Sequence, residues 1–131
     1  MRFSVSVAVG CAVCLAVSAS AHHSHGQYAE TFRDIQGVVK EVHLLTPHSW
    51  IYLEVTEAKG APQLWALEGT SRTGLQKIGV TRESIKPGDT VTVRCHPLRD
   101  GTNGCLLGFL KAPDGSIKNW DGGAVPALSG F

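Results

Sequence analysis

SRTGLQKIG, residues Ser71 to Gly79, decides the fold, because this short segment breaks a texture that otherwise reads as strands. Ser71 is an N-cap residue type, whose side-chain oxygen accepts an unpaired N–H at a helix start. Gly79 suits the left-handed conformation that ends a helix. Together they predict a short helix through Ile78. Thr81 then caps one further turn, T-R-E-S-I. Lys86-Pro87-Gly88-Asp89 follows, with proline and glycine at the second and third places of a type II turn.

Three strand-like stretches precede this helix. I-Q-G-V-V-K-E-V-H-L-L, from Ile35, is rich in β-branched residues, with Gly37 as the expected site of a bulge. Thr46-Pro47 interrupts it. S-W-I-Y-L-E-V-T, from Ser49, alternates: Ile51, Leu53 and Val55 share one face, and Trp50, Tyr52 and Glu54 the other. After the turn Lys59-Gly60-Ala61-Pro62 comes Q-L-W-A-L-E-G, with Leu64 and Ala66 opposite Trp65 and Leu67. Two strands follow the helix. In T-V-T-V-R-C-H, Val91, Val93 and Cys95 share a face; C-L-L-G-F-L, from Cys105, is the last. Three strands, a helix and two strands is the order of a small Greek-key barrel of the OB type. The expected class is therefore an all-β, OB-like five-stranded barrel with one short helix plugging an end. An open sheet or sandwich of the same strands is the rival.

The N-terminus reads as a separate piece. Arg2 supplies a positive charge, Val5 to Val17 carries none, and Ala19-Ser20-Ala21 is a small-residue cut pattern. That combination predicts a secretory signal peptide over residues 1–21. The apolar run is short of the roughly 20 residues of a membrane span. A polar, histidine-rich leader is expected over residues 22–34, the barrel over 35–119 and a flexible Gly/Ala/Pro tail over 120–131. The expected location is the bacterial periplasm or the medium, with no membrane span after cleavage. Arg2 is the only charged residue before His22, so its loss brings twelve basic residues level with eleven acidic ones. A neutral mature chain lacks the basic excess that phosphate-backbone binding needs, so nucleic acid is not an expected partner.

Cys11 and Cys14 fall inside the signal, which leaves Cys95 and Cys105. An even pair in an exported chain predicts a disulfide across the intervening turn residues Asp100-Gly101 and Asn103-Gly104. A metal set of both cysteines with His96 is the alternative, but its spacing matches no standard zinc pattern.

Several motifs together resemble a family of small exported bacterial proteins known as a domain of unknown function. They are A-H-H-S after the signal, G-V-V-K-E-V, T-P-H-S-W-I-Y-L-E-V, W-A-L-E-G and G-V-T-R-E-S-I-K-P-G-D-T-V-T-V. The resemblance spans about residues 21 to 118. It implies an exported, β-rich single domain and implies no activity. Thr46 stands where the family usually has asparagine, and Val80 where it usually has an aromatic residue. His25 and the cysteine pair are particular to this chain.

The histidines carry the chemistry on offer. Cleavage after Ala21 makes His22 the terminus, so its amine and imidazole can chelate one ion, with His23, His25 or a histidine from the barrel completing the set. Cleavage one residue earlier leaves Ala21-His22-His23, a square-planar set for Cu(II) or Ni(II). Imidazole also suits zinc. His48, after Pro47, shares the parity of Trp50 and Tyr52, and His43 is expected to approach it across the intervening connection. The expected metal residues are thus His22, His23, His25, His48 and His43, with copper or zinc as the cofactor. A leader in which histidines are merely tolerated is the plain alternative. Trp50, Tyr52 and Trp65 are the expected ligand-binding face, on the strands where OB folds bind ligands. Its partner would be a periplasmic protein, a peptide, a glycan or another small ligand. Glu68 reads either as a buried acid or as a cap of the helix behind it, the second being preferred. No H-E-x-x-H, G-x-S-x-G or P-loop is present. A non-enzymatic binding module is therefore expected ahead of an enzyme with a mononuclear copper centre.

Overall fold

The computed structural model describes residues 25–126 and 130–131. The expected signal peptide, His22 and His23 lie outside the described residues. The strands are β1 (Arg33–His43), β2 (Ser49–Val55), β3 (Gln63–Gly69), β4 (Thr90–Pro97), β5 (Gly104–Lys111) and β6 (Ile117–Asn119); α1 (Arg72–Lys77) lies between β3 and β4. The sheet order is β3-β2-β1-β4-β5-β6, and a parallel pairing of β3 with β5 closes the first five strands into a barrel. The OB-like order read from the sequence is the order observed. β6 is an additional strand on the β5 edge.

Closure depends on β1, which serves both halves of the barrel. Residues 33–38 pair with β4 and residues 38–43 with β2. A strand shared this way must bend, and the bend is a register shift between Val39 and Glu41. The bulge is therefore not at Gly37. Gly37 instead permits a close approach: a Cβ there would run into the Glu54 carbonyl oxygen and lie 2.8 Å from the Leu53 side chain.

Strand alternation fills the interior. Ile51, Leu53 and Leu67 are completely excluded from water, as are Val93, Cys95 and Cys105. Each fully buried aliphatic side chain of this kind contributes about 1.5–3 kcal/mol. Cys95 and Cys105 form the expected disulfide, linking β4 to β5. This pairing overturns the alternative of a Cys/His metal set with His96. α1 places Leu75 in the same core. Its Ser71 cap accepts from the Gly74 N–H at 3.1 Å, and Gly79 follows with φ +82°. The Lys86–Asp89 turn closes with Asp89 N–H donating to the Lys86 carbonyl at 3.0 Å, and Gly88 has φ +96°.

Both flanks of the barrel are more engaged than their composition suggests. The leader is not a free arm: Tyr28 is buried, and β1 already begins at Arg33. At the other end Trp120 is among the most buried side chains, so the core extends past residue 119. Phe131 lies against Arg94 and Lys111, each with its charged group 5.1 Å from the ring centre. No helix among the described residues is long and apolar enough to cross a membrane.

Candidate functional site

Strand register lays one row of side chains around the outside of the barrel. His43 on β1 pairs with Trp50 on β2, Trp50 with Glu68 on β3, Glu68 with Leu106 on β5, and Leu106 with His96 on β4. An outward row is normally wet. Here the leader covers part of it.

The leader is tied down by backbone and by rings. After one 3-10 turn over His25–Gln27, Tyr28 bridges to Leu98. Ala29 N–H donates to the Pro97 carbonyl at 2.8 Å, and Arg99 N–H to the Gln27 carbonyl at 2.9 Å. The Arg99 Nε–H donates to the Tyr28 carbonyl at 2.9 Å. Phe32 stacks on His96 with ring centres 4.2 Å apart and lies near Phe109. Gly108 makes room for it, since a Cβ there would come within 3.1 Å of the Phe32 ring. This strap explains why Leu106 and Phe109, which face away from the interior, are nevertheless buried.

Under the strap sits Glu68, only 3% exposed. The Tyr28 hydroxyl donates to Glu68 Oε2 at 2.5 Å. His48 Nδ1 lies 3.3 Å from Glu68 Oε1. No lysine or arginine among the described residues pairs with this carboxylate. A buried carboxylate needs compensation, and its two neighbours are a phenol and an imidazole. Burial pushes the Tyr28 phenol well above its ordinary range, and the hydrogen bond and charge of Glu68 push it further. His48 itself is 40% exposed at the side chain, against 4% for Glu68. The arrangement is an open imidazole whose inner nitrogen faces a buried acid. Metal-binding histidines commonly have such a carboxylate behind the nitrogen that does not bind the ion.

Glu68 therefore does not cap α1; Ser71 does. The helix begins beyond Thr70, and an outward residue on β3 cannot turn back to it while facing Tyr28 and His48. The other expected residues distribute unevenly. His43 has contacts on its own and the next strand: its Nε2 lies 2.8 Å from Glu41 Oε2 and its ring meets Tyr52 edge-on at 5.8 Å. Trp50 and Tyr52 are half-buried on the outward face. Trp65 does not join them. It pairs with Leu53, points into the core, is 5% exposed and has Arg33 over its ring. The backbone of His25 begins the turn leading to Tyr28. Among the described residues no group of three or more His, Cys, Asp or Glu gathers in a way that holds a metal ion.

Tyr28 is the site residue that the sequence did not single out, and Glu68 is the buried acid of its two readings rather than the preferred cap. A weak signal existed for each. Glu68 is a lone acid ending an apolar strand, and Tyr28 and Phe32 are two aromatics four residues apart in a polar leader.

Residues 11–107 match a family of unknown function, DUF6152, and the chain belongs to that family. No curated protein and no solved structure matches it.

Proposed function

We propose that this member of an uncharacterised family is an exported, non-enzymatic binding protein that takes up copper or zinc between its histidine leader and His48. The observation that carries the reading is the chain Tyr28–Glu68–His48, which fastens the root of the leader beside an open barrel imidazole. His22 and His23 stand only six and five positions before Tyr28, the leader residue that touches Glu68. Imidazole and amine donors suit both Cu(II) and Zn(II). The signal-like N-terminus supports export, and the Cys95–Cys105 disulfide is compatible with an oxidising compartment.

Mass spectrometry of the exported protein fixes its first residue, and titration with Cu(II) and Zn(II) then tests the site. Expected is one tight equivalent, weakened in both His22→Ala and His48→Ala. Binding that survives His48→Ala unchanged would detach the leader from the barrel. Binding no tighter than that of an unrelated polyhistidine-tagged protein would sink the metal reading. A second reading rests on Trp50 and Tyr52, which stay half-exposed on the OB ligand strands. On that reading the partner is a periplasmic peptide, glycan or small ligand, and no metal is involved. Tryptophan emission that changes with envelope extracts, and does not in Trp50→Phe, supports it; a flat response removes it.

A further inference from the structure

We propose that a cleft at the end of β1 binds a small carboxylate with an apolar body, of the medium-chain fatty-acid class. The cleft uses neither the leader nor His48, so it stands apart from the metal reading.

Two walls form it. One is the end of β1 and its connection to β2, which contributes Val42, Leu44 and Leu45. The other is the segment before β4, which contributes Ile85 and Pro87. The cleft has a volume of about 350 Å³. That is the small end of the roughly 300–1,000 Å³ of small-molecule sites.

Both walls are held in place. Leu45 N–H donates to Ser49 Oγ at 3.2 Å, and the Leu45 carbonyl accepts from Arg72 N–H at 2.8 Å. Opposite, Lys86 N–H donates to Asp89 Oδ2 at 2.9 Å, and Gly88 N–H donates to the Val39 carbonyl at 2.8 Å. Ile85 is rooted in the core. Walls fixed in advance lose little freedom when a ligand enters. Leu45 nevertheless leaves its side chain exposed, and Val42 and Leu44 beside it are only partly buried. Apolar surface therefore remains for a ligand to cover.

Charge sets the sign of that ligand. Arg82 and Lys86 line the cleft, and no aspartate or glutamate does. Glu83 is taken by Lys86 at 2.8 Å, and Glu41 by His43, the remaining lining imidazole, also at 2.8 Å. Arg82 has no ion pair among the described residues. Its guanidinium offers a fork of N–H donors that matches a carboxylate. The Lys86–Glu83 pair is well exposed, and such pairs hold weakly, so Lys86 is available as a second contact. Apolar walls with an unpaired guanidinium and no lining acid select one negative head on an apolar body. The same walls disfavour a cation of that shape.

The exported protein is titrated with octanoate and followed by NMR of the Leu44, Leu45 and Ile85 methyl groups. Expected is a saturable shift of these methyls. Hexanoate and butanoate should bind progressively more weakly, since each pair of methylenes removed covers less apolar surface. Octylammonium, with the same tail and the opposite charge, should bind roughly 10-fold more weakly. Arg82→Gln, an exposed position, should keep the folded spectrum and weaken octanoate by roughly the same factor. Absence of a saturable methyl shift overturns the proposal. So does equal affinity for octylammonium, or equal affinity in Arg82→Gln. Acetate binding as well as octanoate would leave a bare anion contact and overturn it. Shifts that gather at Trp50 and Tyr52 instead would place the ligand on that face and overturn it too.

Discussion

Tyr28 is a neutral phenol donating to a buried carboxylate, and that single contact sets a pH dependence. A phenol ionises near pH 10 in the unfolded chain. In the folded protein burial, first, and then Glu68 hold it neutral to much higher pH. Its folded value is raised, so its contribution to stability is complete below about pH 10 and fades as pH rises beyond that. Melting temperature measured across the alkaline range should therefore fall above about pH 10 in the wild type. Tyr28→Phe should lose about 1.5–3 kcal/mol at neutral pH, since Glu68 forfeits a charge-assisted donor. It should also show a shallower alkaline fall. Parallel alkaline slopes for the two proteins would remove the assignment. This site was only half legible in the sequence. The parity of Trp65 was readable, yet its distance from Trp50 depended on a cross-strand register that the sequence between β2 and β3 does not state. The role of Glu68 depended on what covers it, and the cover comes from 40 residues away in the chain.

At the scale of the strand, β1 joins the two halves of the barrel. It hands its pairing from β4 to β2 at Val38, beside Gly37 and just before the Val39/Glu41 shift. Gly37→Ala places a methyl group against the Glu54 carbonyl oxygen and the Leu53 side chain. Backbone on the neighbouring strand cannot step aside without disturbing the β1–β2 ladder. Overpacking of this kind costs about 1–3 kcal/mol, so the urea midpoint should drop. Gly26→Ala, where a Cβ meets nothing within 4 Å, serves as the control and should leave it in place. Equal midpoints would mean that β1 relaxes freely at the handover. The strands themselves were legible because alternation is a local property: Ile51, Leu53 and Val55 on β2, and Val91, Val93 and Cys95 on β4, are all core residues. So was α1, whose cap and stop are single residues. The bulge was not legible in place, because it answers to two partner strands at once. A glycine in a strand marks either a bulge or a close approach, and only the second holds at Gly37.

At the scale of the whole molecule a small barrel is held by closure, by the leader strap and by one covalent link. Cys95 and Cys105 are ten residues apart and both lie in the core. The register near them is shifted, with Cys95 opposite Leu107 and Cys105 opposite Pro97. The bond therefore joins diagonal neighbours rather than a directly facing pair. Its contribution is mainly a restriction on the unfolded chain, and for a loop of this size that is roughly 2–3 kcal/mol. The core around the bond has other contacts: Leu107 and Leu110 on β5 share it with Val93 and Leu67, and β3 pairs with β5. The reduced protein, with its thiols blocked after unfolding and then refolded, or the Cys95→Ala/Cys105→Ala variant, should keep the β-sheet circular dichroism of the wild type in dilute buffer. It should unfold at lower urea, by an amount equivalent to roughly 2–3 kcal/mol, with the variant slightly worse because it also loses two buried sulfur atoms. If the entropic account holds, the unfolding slope against urea should rise on reduction, since an open chain exposes more surface than a cross-linked one. An unchanged midpoint would contradict that account. Loss of the sheet signal without denaturant would show instead that barrel closure itself requires the bond.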